Sequence, residues 1–263
     1  MSKYSFAILL SLLSVGTFAV VGCSGSYPGV DGPASCYLVE QDGHRVVLDM
    51  GNGALGPLQG YADIFDIDAV LLSHLHVDHC IDLCSYYVAR KYHPEAPRER
   101  IPVFGPAGTD VRMASAYGLA SDPGMNQEFN FIGHAPQVAE VGPFTITTAR
   151  VAHPVEAYAI RIEAGGSSLV FSGDTGPTDA LVDLARDADL ALFEASLMDS
   201  PDNPVGLHLT GGQAADHANR AGVPELMITH LVSWNDNDQV VADAAGAYEG
   251  RLLVAEPGMS VEF

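Results

Sequence analysis

Basic charge is what this sequence has least of. Twelve Lys and Arg stand against 33 Asp and Glu, a formal net charge of −21. A surface that acidic repels long phosphate backbones, so stable binding to DNA or extended RNA is not expected. A small anionic substrate is still admitted, because divalent cations held in a site reverse the field locally. Cysteine is scarce as well: Cys23, Cys36, Cys80 and Cys84 lie scattered among apolar segments. Their spacing fits neither a zinc ribbon nor a small disulfide scaffold, and reduced thiols in a reducing compartment are expected. No G-x-S-x-G elbow occurs, which leaves no case for a serine hydrolase. Internal repeats, low-complexity tracts and long linkers are also missing. What remains is 263 residues, 48% hydrophobic and 17% charged, the composition of a single well-cored domain.

Long apolar runs are confined to the N-terminus. Ser5 to Val21 is uncharged, follows Lys3 and ends in Val20-Val21-Gly22-Cys23. It is short for a transmembrane helix, which wants about 20 apolar residues. It fits a signal sequence with a lipoprotein-type cleavage site before Cys23, which would export the chain and anchor it to a membrane at that cysteine. The preferred reading is a first core strand over Thr17 to Gly22, since cleavage would remove a strand that the fold needs. Residues 1–16 are then an apolar extension, residues 17–263 the domain, and the location cytoplasmic.

Periodicity and turn residues predict strands at Phe18–Val21, Cys36–Glu40, Arg45–Asp49, Ala69–Leu72 and Ile101–Phe104. Helices are expected at Ile81–Tyr92, stopped by Pro94 and Pro97, and at Thr109–Tyr117. Residues 121 to 137 carry Pro, Gly and Asn without periodicity and are expected to form a loop, a candidate lid. The second half repeats the pattern. Strands Phe144–Val151, Tyr158–Glu163 and Ser168–Phe171 come first, with a hairpin turn at Gly165-Gly166. Helix Asp179–Arg186, strand Leu190–Phe193, helix Thr210–Ala221, strand Leu226–Thr229, helix Gln239–Tyr248 and a last strand follow. Strands and then strand–helix alternation, twice over, suggest two sheets packed face to face with helices outside.

The densest chemistry is Ser73-His74-Leu75-His76-Val77-Asp78-His79, directly after the apolar run Ala69–Leu72. At a strand exit a loop can turn all four ligand-type side chains to one point, whereas a regular strand would divide them between two faces. Imidazole and carboxylate suit zinc and related metals. The helix that follows aims its N-terminus at the same place, which favours an anion. His153, Asp174 and His230 each follow a further predicted strand, where ligands converge in layered α/β proteins.

The sequence His-x-His-x-Asp-His resembles the signature of the metallo-β-lactamase superfamily. That resemblance implies a four-layer αββα sandwich and two divalent metal ions, zinc foremost, with manganese or iron also accepting these ligands. It implies one metal on His74, His76 and His153, a second on Asp78, His79 and His230, and Asp174 bridging them. A bridging carboxylate is not a feature of the lactam-cleaving enzymes. His208-Leu209-Thr210, Gln213-Ala214-Ala215, Ala221-Gly222-Val223 and Thr229-His230 are similar to the ribonuclease Z-like branch. From about Thr17 the chain is most similar to bacterial cyclic-nucleotide phosphodiesterases of that branch. The segments that carry this are Gly22 to Ser26, Leu48-Asp49-Met50-Gly51-Asn52-Gly53, Asp82 to Tyr87 and His153 to Tyr158. Two departures speak against transfer-RNA processing. No long Gly/Pro-rich arm is present, and the branch's His-Glu-Ala-Thr motif stands here as Phe193-Glu194-Ala195-Ser196.

The implied function is hydrolysis of a small phosphodiester, a 3′,5′-cyclic nucleotide first, by metal-bridged hydroxide attack on phosphorus. Asp78 would also orient the nucleophile. His208, not needed as a ligand, would contact the phosphate or protonate the leaving oxygen, the bland alternative being a helix-entry residue with its ring in solvent. An exoribonuclease, lactonase or thioesterase on the same site remains open, since substrate choice lives in loops. So does a non-catalytic metal-binding protein, although the complete ligand set argues against it. A redox di-iron role is disfavoured by Leu75 and His76 where such proteins place a carboxylate. Oligomeric state is not legible, although homodimers are common among such relatives. Other features are set aside. Gly51-Asn52-Gly53-Ala54-Leu55-Gly56 fits G-x-G-x-x-G, but Pro57 interrupts it and a tight loop near the metals is expected. His217 is expected at the surface, His44, His93 and His134 carry no role, and Tyr86 and Tyr87 fit base stacking or core packing equally well.

Overall fold

The computed structural model describes residues 16–134 and 138–263. Contiguous apolar residues run along Thr17–Gly22 (β1), Cys36–Gln41 (β2) and His44–Leu48 (β3), which form an antiparallel meander buried on both faces. Ala69–Leu71 (β4), Ile101–Gly105 (β5) and Phe129–Gly133 (β6) then add in parallel. Short helices Leu55–Leu58 (α1) and Val77–Cys80 (α2), and longer ones at Leu83–Tyr92 (α3) and Thr109–Tyr117 (α4), make the connections. The second half follows the same plan. Ala139–Val141 (β7), Phe144–Arg150 (β8), Tyr158–Ala164 (β9) and Ser167–Phe171 (β10) are antiparallel neighbours. Leu190–Glu194 (β11), Glu225–Thr229 (β12) and Arg251–Val254 (β13) extend them in parallel. Asp179–Ala185 (α5), Gly211–Ala221 (α6) and Asn237–Ala247 (α7) supply the crossovers. Finally Ser260–Glu262 (β14) returns to pair with β1, giving two seven-stranded sheets.

The two sheets bury their facing side chains against each other, as the sequence pattern predicts for a four-layer αββα sandwich. Phe18, Val20, Tyr37, Val39, Val46, Leu48 and Leu71 come from one sheet, and Phe144, Ile146, Ile160, Ile162, Leu169, Phe171 and Leu192 from the other. Intervening residues point outward and are covered by helices. Val47, Val70 and Leu72 meet Leu83, Tyr86 and Tyr87 of α3, whereas Val170, Ala191 and Phe193 meet Leu181 of α5 and Ala214, Ala215 and Ala218 of α6. Tyr86 and Tyr87 are fully enclosed, so core packing accounts for them and base stacking does not. Each fully buried side chain of this size contributes about 1.5–3 kcal/mol relative to exposure.

Several expectations need correction. The segment 121–137 is not one loop: the parallel strand β6 occupies its centre, hydrogen-bonded to β5 in register from Ile101↔Phe129. Its alternation is masked because Asn130 and Gly133 sit among Phe129, Phe131 and Ile132 at an edge. The helix expected over Ile81–Tyr92 is present as α3, and a one-turn helix that was not expected, α2, precedes it and contains Asp78 and His79. Two strands, not one, close the C-terminal region. Thr17–Gly22 is a strand, paired on both sides. The extension expected over residues 1–16 lies, apart from Gly16, outside the described residues. Cys23, Cys36, Cys80 and Cys84 are free thiols. Among the described residues no helix is long and apolar enough to cross a membrane.

Candidate metal centre

All the singled-out ligand candidates lie at one end of the sandwich, beyond the carboxyl ends of the strands. His74, His76, Asp78 and His79 follow β4, His153 follows β8, Asp174 follows β10 and His230 follows β12. Two backbone devices turn the chain sharply there. Asp49 and His230 adopt left-handed conformations at φ 58 and 59° directly after β3 and β12, a conformation that Asp and His tolerate better than most residues. Gly51 lets its backbone pass against α2: a Cβ there would stand 2.0 Å from the Asp78 carbonyl oxygen. The expected G-x-G-x-x-G segment is therefore a close-packed loop supporting Asp78, not a nucleotide cradle.

The side chains converge in two groups. His74, His76, His153 and Asp174 form one, while Asp78, His79, Asp174 and His230 form the other. In the first, His76 Nδ1 is 3.0 Å from His74 Nε2 and 3.2 Å from His153 Nε2. In the second, His79 Nε2 and His230 Nε2 are 3.0 Å apart, and Asp78 Oδ2 is 3.2 Å from His230 Nε2. Asp174 belongs to both groups. Its Oδ1 lies 3.2 Å from His79 Nε2 and its Oδ2 lies 3.7 Å from His74 Nε2.

The orientation of each ring is set from behind. His79 Nδ1–H donates to Asp49 Oδ2 at 2.6 Å, and His153 Nδ1–H donates to the Leu207 carbonyl at 2.8 Å. Ser73 Oγ donates to Asp49 at 2.9 Å, so it accepts from His74 Nδ1–H at 3.0 Å. Likewise Ser196 Oγ donates to Glu194 Oε2 at 2.7 Å and accepts from His230 Nδ1–H at 2.7 Å. With these four Nδ1 protons directed outward, four Nε2 lone pairs face inward, the tautomers that metal ligation needs.

Electrostatics follow from burial and carboxylates. Burial pushes the His74, His76 and His153 imidazoles below the usual histidine range, towards the neutral form that can ligate. Burial also opposes charge on His79, but Asp174 and Asp49 outweigh it and hold its proton affinity well above normal. The Asp78 and Asp174 carboxyls are desolvated too, yet the surrounding imidazoles keep both below the ordinary carboxylate range. The fit to divalent cations rests on Asp174: its Oδ1 is buried and accepts no hydrogen bond, an expensive condition for a carboxylate oxygen that faces imidazole nitrogens. Tetrahedral ligation with zinc–nitrogen bonds of 2.0–2.1 Å puts neighbouring nitrogens about 3.3 Å apart. The spacings within the two groups are close to that.

His208 stands beside both groups but is built differently. Its Nδ1–H donates to Glu194 Oε1 at 2.8 Å, and its ring is mostly enclosed, so it is not a helix-entry residue in solvent. Burial disfavours its charge, but the Glu194 carboxylate prevails and raises its pKa to about 9. Glu194 also receives the Thr175 and Ser196 amides, so its lone pairs are filled by donors and it is a poor cation ligand. The helix after His208 carries the expected N-cap: Thr210 and Gln213 form a reciprocal capping box.

Four residues carry the site without having been assigned roles from the sequence: Asp49, Ser73, Glu194 and Ser196. His217, expected at the surface, is buried. Its Nδ1–H donates to Gln213 O and its Nε2 accepts from the Thr178 amide, which ties α6 to the start of α5. His134 is not idle either, donating from Nε2 to the Leu72 carbonyl at 2.8 Å.

Comparison with known proteins agrees with this fold. Residues 44–231 match the family model of the β-lactamase superfamily domain. An uncharacterised protein of Mycobacterium leprae is 43% identical over 246 residues, covering 91% of this chain and 86% of its own length. A ribonuclease Z of Mycobacterium bovis is 30% identical over 273 residues, covering 92% and 96%. The crystal structure of the metallo-β-lactamase fold protein YhfI from Bacillus subtilis superimposes with a TM-score of 0.83 at 28% identity, covering 95% of this chain and all of that one.

Proposed function

The chain belongs to the β-lactamase superfamily, as a metallo-hydrolase close to its ribonuclease Z-like members, and from that premise we propose a phosphodiesterase acting on 3′,5′-cyclic nucleotides. The ligand assignment within this proposal is His74, His76 and His153 for one divalent cation, Asp78, His79 and His230 for a second, and Asp174 shared between them. Such cations, zinc first on donor chemistry, would supply Lewis acidity and a nucleophile generated near neutral pH.

The observation that carries the phosphodiester reading is the His208–Glu194 pair beside the shared Asp174. Its Nδ1 proton is committed to Glu194, so Nε2–H is the donor that His208 has left for a substrate. Held protonated by that carboxylate, it can donate to a phosphoryl oxygen and then pass its Nε2 proton to the departing ester oxygen. Glu194 therefore stands behind two functions, since through Ser196 it also orients His230. The acidic exterior suits a small diester better than a polynucleotide. The relative called ribonuclease Z acts, by its name, on the same kind of bond.

The test is hydrolysis of cyclic AMP beside bis(p-nitrophenyl) phosphate, with zinc or manganese added, by the native protein and by His208→Ala. Metal-dependent cleavage of the cyclic nucleotide is expected. The variant should lose about 10²–10⁴-fold in turnover, the range of a lost general acid, while retaining its bound metal. Cleavage of the artificial diester alone would refute the substrate, and unchanged turnover in the variant would refute the role of His208.

A further inference from the structure

The chain contains one tryptophan, Trp234, and it is 68% exposed. An indole on the surface forfeits most of the burial that makes this residue worthwhile in a fold. It is not isolated. The Tyr27 ring, also exposed, lies 5.5 Å away at an interplanar angle of 30°. The Tyr27 hydroxyl is hydrogen-bonded to Ser233 Oγ. Together the two rings make an aromatic surface bordered by the polar groups of Ser233, Asn235 and Asp236.

This surface is tied directly to the second ligand group. Trp234 follows His230 by four residues, so its Cα lies within about 14 Å of that of His230. A turn, with the Asn235 amide on the Val232 carbonyl at 3.1 Å, shortens the path further. Asn235 Nδ2 donates to the Ser196 carbonyl at 2.8 Å, and Ser196 is the residue that orients His230. Tyr27 is fixed from the other side. The His230 amide donates to Cys23 O and the Gly25 amide to Leu231 O, both at 3.1 Å. At Gly25 a Cβ would stand 2.4 Å from the His230 carbonyl, so the two loops run backbone against backbone. The rings are therefore presented by segments anchored at the metal ligand itself.

We propose that Trp234 and Tyr27 form a base-binding subsite, on which the heterocycle of a nucleotide substrate stacks while its phosphate faces the two ligand groups. The proposal rests on the phosphodiesterase reading for its phosphate half only. Every nucleobase has a π-face, and Trp and Tyr are the side chains that stack on it without demanding one sequence. Asp236 and Asp238 next to the platform repel additional phosphates, which favours a mononucleotide over a strand. The platform would thus read the base, and the cations the diester.

Because Trp234 is the sole indole, its fluorescence reports this subsite alone. Metal-free protein titrated with adenosine 5′-monophosphate should show saturable quenching, and ribose 5-phosphate should show none. In metal-loaded protein, preference is measured as kcat/KM for cyclic AMP over its abasic analogue, a ribose 3′,5′-cyclic phosphate methylated at C1′. That preference should fall about 5- to 100-fold in Trp234→Ala, the equivalent of one base–aromatic stack, and recover in Trp234→Phe. Equal quenching by both phosphates, or none by either, overturns the subsite, as does an unchanged preference in Trp234→Ala. Emission that shifts with protein concentration and not with nucleotide also overturns it, assigning the platform to contact between two copies. If the native protein cleaves no cyclic nucleotide yet adenosine 5′-monophosphate alone quenches, the platform stands and the phosphodiesterase reading fails.

Discussion

Asp49→Asn removes one oxygen's worth of acceptor from a position where every acceptor is in use. Oδ1 receives the Ser73 amide at 2.7 Å, while Oδ2 receives His79 Nδ1–H at 2.6 Å and Ser73 Oγ–H at 2.9 Å. An asparagine amide cannot serve all three. Pointed one way, its NH₂ meets the Ser73 N–H; pointed the other, it meets the imidazole N–H. One buried donor is stranded either way, at about 1–3 kcal/mol, and a charge-assisted bond becomes a neutral one at about 1 kcal/mol more. The left-handed backbone at this position is tolerated by Asn, so the substitution isolates the side-chain effect. At about 2–4 °C per kcal/mol for a chain of this size, the metal-free protein should melt about 5–15 °C lower. Cation affinity should fall about 10- to 100-fold, because His79 directly and His74 through Ser73 lose the partner that fixes their tautomers. Thermal melting by circular dichroism and metal titration against a chelator read the two effects separately. A variant that melts within about 2 °C of the native protein and binds metal equally well would refute the claim that Asp49 orients the ligands.

His76→Ala takes Nδ1 out of the first group, and metal analysis should show one divalent equivalent in place of two, with turnover lost; two equivalents and full activity would remove His76 from the ligand set. Gly51→Ala drives a Cβ to 2.0 Å from the Asp78 carbonyl, and the overpacking should lower stability by about 1–3 kcal/mol in urea unfolding. An unchanged urea midpoint there would mean that α2 can move away freely. A chain starting at Cys23 lacks β1 and with it the enclosed Phe18, Val20 and Val21, a loss on the order of 5–9 kcal/mol. Such a chain should not unfold cooperatively, because the deficit rivals the whole stability of a typical domain. A sharp melting transition from it would favour the lipoprotein reading of the N-terminus.

The ligand candidates were legible because each follows an apolar strand, where a charged or imidazole side chain has little reason to be unless something binds it. Asp49 offered the same signal after His44–Leu48, but one carboxylate at a strand end gives no hint that it serves Ser73 and His79 from 24 and 30 residues away, and His74 through Ser73. Glu194 and Ser196 are similar: His230 meets Ser196 through the parallel pairing of β11 with β12, and His208 meets Glu194 beside the Leu197–Thr210 bridge, neither of which the sequence displays. His217 was readable and was missed. It shares a helical face with Ala214, Ala218 and Ala221, all buried, so the 3.6-residue period already places it inside. β6 was obscured for a different reason. An edge strand is half solvated, and its weak alternation does not outweigh the Pro123, Gly124 and Asn126 that precede it.

The second ligand group draws Asp78 and His79 from the first half of the chain, Asp174 from the middle of the second, and His230 from beyond β12. During synthesis on the ribosome, a nascent chain that has emerged only through β6 exposes a few imidazoles on an open loop, a weak and unselective trap for whichever metal is most competitive. The group is assembled only after β12 has docked, roughly 150 residues later by the His79–His230 separation. Selection among metals is thereby deferred until the two sheets have closed. The cation that enters is then chosen by a rigid cavity and not by a flexible peptide, and its arrival locks the early and late products of translation together.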